Sequence, residues 1–142
     1  MKARTATLGD LEAVFRDLSG RMSADYAAAG FTLTGAQDSL LMDLREGRAH
    51  ALEDDGVVIA VISWHETGDL VDTAFAARES FFTAPTVRFC KRHVLHIQAL
   101  NGNLPIRSRS WLNGPEVVRW FRIIGYIEQT EKGARVFELP PG

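Results

Sequence analysis

The chain has 142 residues, of which 46% are hydrophobic and 24% are charged, and its formal net charge is −2. This length and composition predict one globular domain spanning residues 1–142. No apolar run reaches the eighteen or so residues that a membrane helix needs, and residues 1–5 lack the apolar core of a signal peptide. Cys90 is the only cysteine, which excludes an internal disulfide and a multi-cysteine metal site. We therefore expect a cytoplasmic protein with no membrane partner.

Charge is distributed unevenly along the chain. Residues 1–77 carry thirteen acidic and six basic side chains, whereas residues 78–122 carry eight basic and two acidic ones. A basic segment in an acidic chain favours a local anionic ligand over nucleic-acid binding, which usually needs a broad basic surface. Solvated faces of helices are the alternative explanation for the same segment.

The first half of the chain predicts a strand, helices and then an antiparallel meander. A strand over Lys2–Ala6 precedes a helix that opens with a capping-box-like pair, Thr7 and Asp10, and bends or breaks near residues 19–20. Thr34 and Gln37 form a second capping box, which predicts the start of the next helix. Strands over 48–53, 57–64 and 70–77 follow, joined by the turns at 55–56 and 67–69.

The second half alternates between helix and strand. Thr83 can cap a helix that ends at 101–103 and has an apolar stripe on one face. A strand over 106–112, a helix over 115–124 and a final strand or hairpin around 132–133 complete the order β-α-α-β-β-β-α-β-α-β. We predict an α/β (α+β) fold whose mixed, mostly antiparallel central sheet is flanked by helices.

This order and two local patterns resemble the GNAT N-acetyltransferases. Residues 113–126, from Asn113 through a short helix to Gly125-Tyr126, are similar to the segment that follows the fifth GNAT strand. Residues 2–12 resemble the family's opening, an arginine-containing strand before an acidic helix cap. The resemblance implies acetyl-CoA as the cofactor and transfer of an acetyl group to an unknown amine, and it allows a homodimer.

The resemblance also implies where the cofactor binds. In GNAT enzymes the pantetheine arm lies between the splayed fourth and fifth strands, and the pyrophosphate lies at the N-terminus of the following helix. The positions expected to contact the cofactor in this chain are Phe75, Ala76, Ala77, Arg78, Phe82, Thr83, Ala84, Arg88, Asn113 and Phe121. Glu66 and Glu79 are the candidate general bases for the amine, with Asp69 and Asp72 as further carboxylates.

Three residues depart from the GNAT pattern. Phe81 and Thr83 stand where the phosphate loop has Gly and Gly or Ala, and Phe121 stands where many members have a proton-donating Tyr. These departures predict a degenerate site. They also fit a narrower resemblance, carried by Arg119-Trp120-Phe121-Arg122-Ile123-Ile124-Gly125, to the GNAT-like internal virion protein A family of short-tailed phages.

Two functional hypotheses follow from these resemblances. The first is an acetyl-CoA-dependent N-acetyltransferase. The second is a non-catalytic, virion-associated assembly protein whose partners would be phage structural proteins. His93 and His96, three residues apart on one helix, supply only half of a metal site, so we expect no metal.

Overall fold

The computed structural model describes residues 1–111, 115–130 and 135–141. Seven strands and five helices are present in these ranges. The strands are β1 (Lys2–Thr5), β2 (Ala49–Asp54), β3 (Val57–Thr67), β4 (Leu70–Ala77), β5 (Ile106–Ser110), β6 (Ile127–Thr130) and β7 (Arg135–Leu139). The helices are α1 (Leu8–Arg16), α2 (Gly20–Ala28), α3 (Leu33–Arg45), α4 (Ala84–Leu100) and α5 (Pro115–Ile124), and a short 3-10 turn covers Glu79–Phe81.

The strands form one sheet in the order β1-β2-β3-β4-β5-β7-β6. Every neighbouring pair is antiparallel except β4 and β5, which are parallel. The predicted mixed, mostly antiparallel sheet flanked by helices is confirmed. The last segment is a hairpin of β6 and β7, and the predicted turn at 132–133 lies outside the described residues.

Two apolar clusters cover the two faces of the sheet. Alternate residues of β3 point to opposite faces, so that Ile62 packs with α4 and α5 while Val61 packs with α1 and α3. The predicted apolar stripe of α4 is buried in the first cluster at Cys90, Val94 and Ile97. The core therefore lies on both faces of the sheet, as the amphipathic helices require.

The N-terminal caps of the helices agree with the sequence-based prediction for α1 but not for α3. The capping box of Thr7 and Asp10 is present, with reciprocal bonds of 3.2 and 2.8 Å. The box predicted at Thr34 and Gln37 is wrong, because Thr32 caps α3 by accepting a bond from the Gly35 N–H at 2.9 Å. Near residues 19–20 the chain divides into two separate helices, and Ser19 caps the second. In the described part of the chain no helix combines the length and the apolar character needed to cross a membrane.

Candidate active site

The parallel strands β4 and β5 pair over only a short distance. Val71 pairs with Ile106 and Asp72 with Arg107, after which β4 continues to Ala77 with no paired strand on that side among the described residues. The Thr73 hydroxyl donates to the Arg107 carbonyl at 3.1 Å and also hydrogen-bonds to Ser108. These hydroxyl contacts close the narrow end of a V-shaped opening between the strands.

A cavity of about 390 Å³ occupies this opening. Its walls come from β3, β4, β5, α2, α3, α4 and α5, together with residues that follow α2, β5 and α5 or precede α4. Aromatic side chains make up much of the surface, namely those of Tyr26, Phe31, Phe75, Phe82, Trp111, Trp120, Phe121 and Tyr126. A concave, mostly apolar cavity with a few polar groups is the usual form of a small-molecule site.

Helix α2 connects the two diverging strands. The Tyr26 hydroxyl donates to the Phe75 carbonyl on β4. The adjacent Asp25 accepts bonds from the Ser110 hydroxyl at 3.0 Å and from the Trp111 N–H at 2.8 Å, at the end of β5. Two consecutive residues of one helix thus hold both arms of the opening at a fixed separation.

The two carboxylates of the cavity have opposite electrostatic environments. Asp72 forms ion pairs with Arg107 at 2.8 Å and Arg109 at 3.3 Å. Burial opposes its ionisation, but hydrogen bonds from Arg107 and Thr67 and the arginine charges outweigh burial and lower its pKa. Burial raises the pKa of Asp25 above its usual value, and the bonds from Trp111 and Ser110 compensate only in part.

Tyr126 adds a hydroxyl to the cavity wall. Burial raises its pKa, and its hydroxyl hydrogen-bonds to Ser108. Phe121 stacks on Phe137 with the ring centroids 4.1 Å apart and also lines the cavity. Beside Tyr26, the cavity wall therefore has a second tyrosine, which follows Gly125 and does not occupy position 121.

The expected cofactor positions are distributed around this cavity. Phe75, Phe82 and Phe121 line it, while Ala76 and Ala77 are buried within β4. The side-chain cap predicted at Thr83 is wrong: its hydroxyl donates to the Thr86 hydroxyl at 2.9 Å and makes no bond to the N–H groups of α4. Ala84 begins α4, Arg88 is exposed one turn later, and Asn113 lies outside the described residues.

Arg78 and the candidate bases have other surroundings. Arg78 donates to Asp17 at 3.2 Å and to the Ala13 carbonyl at 3.4 Å, at the end of α1. Glu66 and Asp69 are exposed near the turn between β3 and β4, and Glu79 pairs with Arg21 at 3.5 Å. Of the carboxylates considered from sequence, only Asp72 lines the cavity.

Sequence reasoning missed Asp25 and Tyr26 as site residues. Both lie in an alanine-rich segment beyond the break near residues 19–20, where the sequence predicted a helix and no site residue. The one local feature that could have indicated a site is the sequence Asp25-Tyr26, which interrupts a run of small residues between Ser23 and Ala29.

A histidine cluster lies apart from the cavity. His50 Nδ1 is 2.9 Å from His93 Nε2, and the His96 ring centroid is 6.5 Å from that of His50. In the ranges that the structure describes, no three His, Cys, Asp or Glu side chains are arranged to hold a metal ion.

The architecture is similar to several solved acetyltransferases. No protein-family model and no curated protein matches the sequence. The PaiA N-acetyltransferase of Thermoplasma acidophilum, solved with coenzyme A, has a TM-score of 0.73 at 10% identity, with 99% of this chain and 98% of that chain covered. The ribosomal-protein-S18-alanine N-acetyltransferase of Escherichia coli has a TM-score of 0.72 at 14% identity, covering 99% and 94%.

A third solved structure carries the acyl donor. The GNAT superfamily phosphinothricin acetyltransferase of Sinorhizobium meliloti, in complex with AcCoA, has a TM-score of 0.68 at 13% identity, covering 99% of this chain and 88% of that chain. These likenesses extend over nearly the whole chain, although the sequences have diverged widely. The protein therefore has the GNAT fold.

Proposed function

We propose that the protein is an acyl-CoA-dependent N-acyltransferase that transfers an acetyl group from acetyl-CoA to an amine. The observation that carries this proposal is the opening between β4 and β5, which contains a cavity of about 390 Å³. Two structures with the same fold were solved with coenzyme A or AcCoA. The reaction class is a proposal from the fold and the cavity together, because fold alone does not determine function.

The pantetheine arm would lie along the open edge of β4. The Arg78 N–H bonds to the Ile59 carbonyl at 2.9 Å, so alternate residues, including Phe75 and Ala77, direct their main-chain groups away from β3. Tyr26 and the Ser19 N–H already occupy the carbonyls of Phe75 and Ala77. The N–H groups of this edge are thus the donors proposed to bind the pantetheine amides.

The diphosphate would lie at the start of α4. Thr83 leaves the first turn without a side-chain cap, and unpaired N–H groups at a helix N-terminus attract phosphate. Arg88, exposed one turn into α4, would add positive charge. Phe81, which replaces a family glycine, is fully buried, so its ring does not cover the outer surface of the loop. Because Arg78 contacts Asp17, it would have to exchange that partner to reach a phosphate.

The proposed chemistry is direct attack by a neutral amine. The nitrogen forms a bond to the thioester carbonyl carbon, the C–S bond breaks, and the amine loses one proton. Asp25 is the carboxylate within the cavity whose raised pKa suits proton acceptance, whereas Glu66 and Glu79 could act only through water. The departing thiolate would take its proton from Tyr126, whose hydroxyl hydrogen-bonds to Ser108.

A non-catalytic GNAT-like protein, including the virion-associated form, is the second candidate. It is favoured by Phe121, which cannot donate a proton at the position where many GNAT enzymes have Tyr. None of the three structures described above is a virion protein by its description. The two candidates differ in whether the cavity binds coenzyme A.

Thermal unfolding in the presence of coenzyme A or acetyl-CoA tests the proposal. A ligand that binds only the folded protein raises the midpoint, so we expect an increase at about millimolar ligand. Arg88→Ala should reduce that increase, while Arg45→Ala, which removes an exposed arginine from α3, should not. No increase with either ligand would overturn the enzymatic proposal and favour the non-catalytic candidate.

A further inference from the structure

The acidic and basic side chains that line the cavity differ in whether a partner of opposite charge lies beside them. Asp72 pairs with Arg107 and Arg109, Arg21 pairs with Glu79, and His65 lies 3.4 Å from Asp43. Asp25 has only neutral partners, the Ser110 hydroxyl and the Trp111 N–H. Among the described Asp and Arg residues of the cavity wall, Asp25 alone has no oppositely charged partner.

A carboxylate in this setting favours a cationic ligand. Removing a charge from water is costly unless an opposite charge or strong hydrogen bonds compensate. Two neutral donors hold the Asp25 oxygens in place, and each oxygen has a further lone pair for a ligand. An ammonium group would supply both the missing charge and further donors.

The remaining walls indicate what the ammonium is attached to. Aromatic rings from α2, β4, α5 and the end of β5 surround the same cavity, and the indole of Trp111 belongs to the residue whose N–H binds Asp25. Phe31, 51% exposed, also contributes to the lining. Aromatic faces bind apolar groups through contact area and attract cations through their quadrupole.

We propose that the acceptor is a primary amine on an apolar, aromatic-sized group, and that Asp25 binds its ammonium. This inference rests on the proposed function, because it names the second substrate of the same cavity. An anionic acceptor fits less well, since each arginine of the described wall already faces a carboxylate. Asp25 would thus select the substrate by charge. The bound ammonium would then lose one proton to solvent water, and Asp25 would accept the second proton as the neutral amine attacks.

Direct binding of three probes of similar shape tests the assignment. Phenethylamine, 2-phenylethanol and 3-phenylpropanoate present a cation, a neutral hydroxyl and an anion on the same ring. In calorimetric titrations at neutral pH, the affinity should be highest for the amine, lower for the alcohol and lowest for the acid. Asp25→Asn should lower the affinity for the amine by roughly tenfold or more and leave the affinity for the alcohol nearly unchanged. Asp38→Asn, the same change on the exposed side of α3, should alter neither.

The outcomes separate this inference from the proposed function. Equal binding of amine and alcohol, preference for the acid, or amine binding unaffected by Asp25→Asn would overturn the assignment of Asp25. Coenzyme A titrated into the same samples reports on the donor site independently. Binding of coenzyme A without the amine would contradict only the acceptor class, whereas amine binding without coenzyme A would contradict only the acyl-transfer proposal. Failure of both ligands would overturn both.

Discussion

Asp25 on α2 accepts a hydrogen bond at 2.8 Å from the main-chain N–H of Trp111, which follows the last residue of β5. Its neighbour Tyr26 binds the carbonyl of Phe75 on β4. The width of the opening between the two strands is therefore set by two adjacent residues of a helix that lies far from both strands in sequence.

Replacing Tyr26 by Phe tests the contact with β4. The phenyl ring retains the stacking on Phe15, whose centroid lies 6.1 Å away, but it leaves the Phe75 carbonyl without this donor. We expect the free energy of unfolding to fall by about 0.5–1.5 kcal/mol, measured by urea denaturation with an unchanged m-value. An unaltered midpoint would mean that water or another donor satisfies the carbonyl equally well.

The carboxylates Asp25 and Asp72 should have opposite effects on the pH dependence of stability. The folded pKa of Asp25 is raised, so the folded state binds its proton more tightly and stability is gained as pH falls through that pKa toward the unfolded value of about 3.9. The folded pKa of Asp72 is lowered, so its contribution is present above the unfolded pKa and is lost as pH falls through the folded one.

Urea denaturation of Asp25→Asn and Asp72→Asn over a pH series measures these two contributions. The stability of Asp25→Asn relative to the unsubstituted protein should be greatest near neutral pH. This difference should shrink as the pH falls. Asp72→Asn should be destabilising near neutral pH, because it leaves Arg107 and Arg109 without their shared carboxylate. Parallel pH curves for the two variants would contradict the opposite environments of these residues.

Thr83→Asp should stabilise the protein and weaken coenzyme A binding. A carboxylate at this position can accept from the Thr86 N–H and interact favourably with the helix dipole, which we expect to add about 0.5–1 kcal/mol. The same carboxylate would repel the proposed diphosphate and compete for its donor. Thr83→Ser, which keeps a neutral hydroxyl, is the control. In Thr83→Asp the free energy of unfolding should rise while the affinity for coenzyme A falls. An unchanged affinity would place the diphosphate elsewhere.

Tyr126→Phe examines the proposed proton donor. Loss of general-acid catalysis should reduce kcat by about a hundredfold, while affinity for coenzyme A is retained. The measurement is thiol release from acetyl-CoA with saturating phenethylamine, accompanied by urea denaturation because Tyr126 is buried. If kcat is preserved in the folded variant, the thiolate is protonated by water.

His93 should make the protein less stable in mild acid. Burial and the neighbouring His50 and His96 lower its pKa to about 4, below the unfolded value of about 6.5. The unfolded state binds the proton more readily, so stability falls as pH decreases from the unfolded pKa toward the folded one. His93→Gln should flatten the unfolding curve over that interval. A curve as steep as that of the unsubstituted protein would assign the acid sensitivity to other groups.

Several parts of the fold were predictable because their causes are local. The capping box of Thr7 and Asp10 is confirmed, and the predicted helix over 115–124 matches α5. The predicted start of α3 was wrong because Thr32 and Thr34 are both suitable caps, and the structure uses Thr32. The expected positions Phe75, Phe82 and Phe121 lie at the cavity, but the role of each in binding stays a prediction.

By itself the sequence determined the order of elements, the faces that become buried and the basic character of the second half, since periodicity, caps and turns act over a few residues. Tertiary structure alone decided which polar groups meet in the cavity. Asp25 and Trp111 are 86 positions apart, and their hydrogen bond depends on where β5 separates from β4 and how α2 crosses the gap. No local preference encodes that geometry, because it results from packing both faces of the sheet at once.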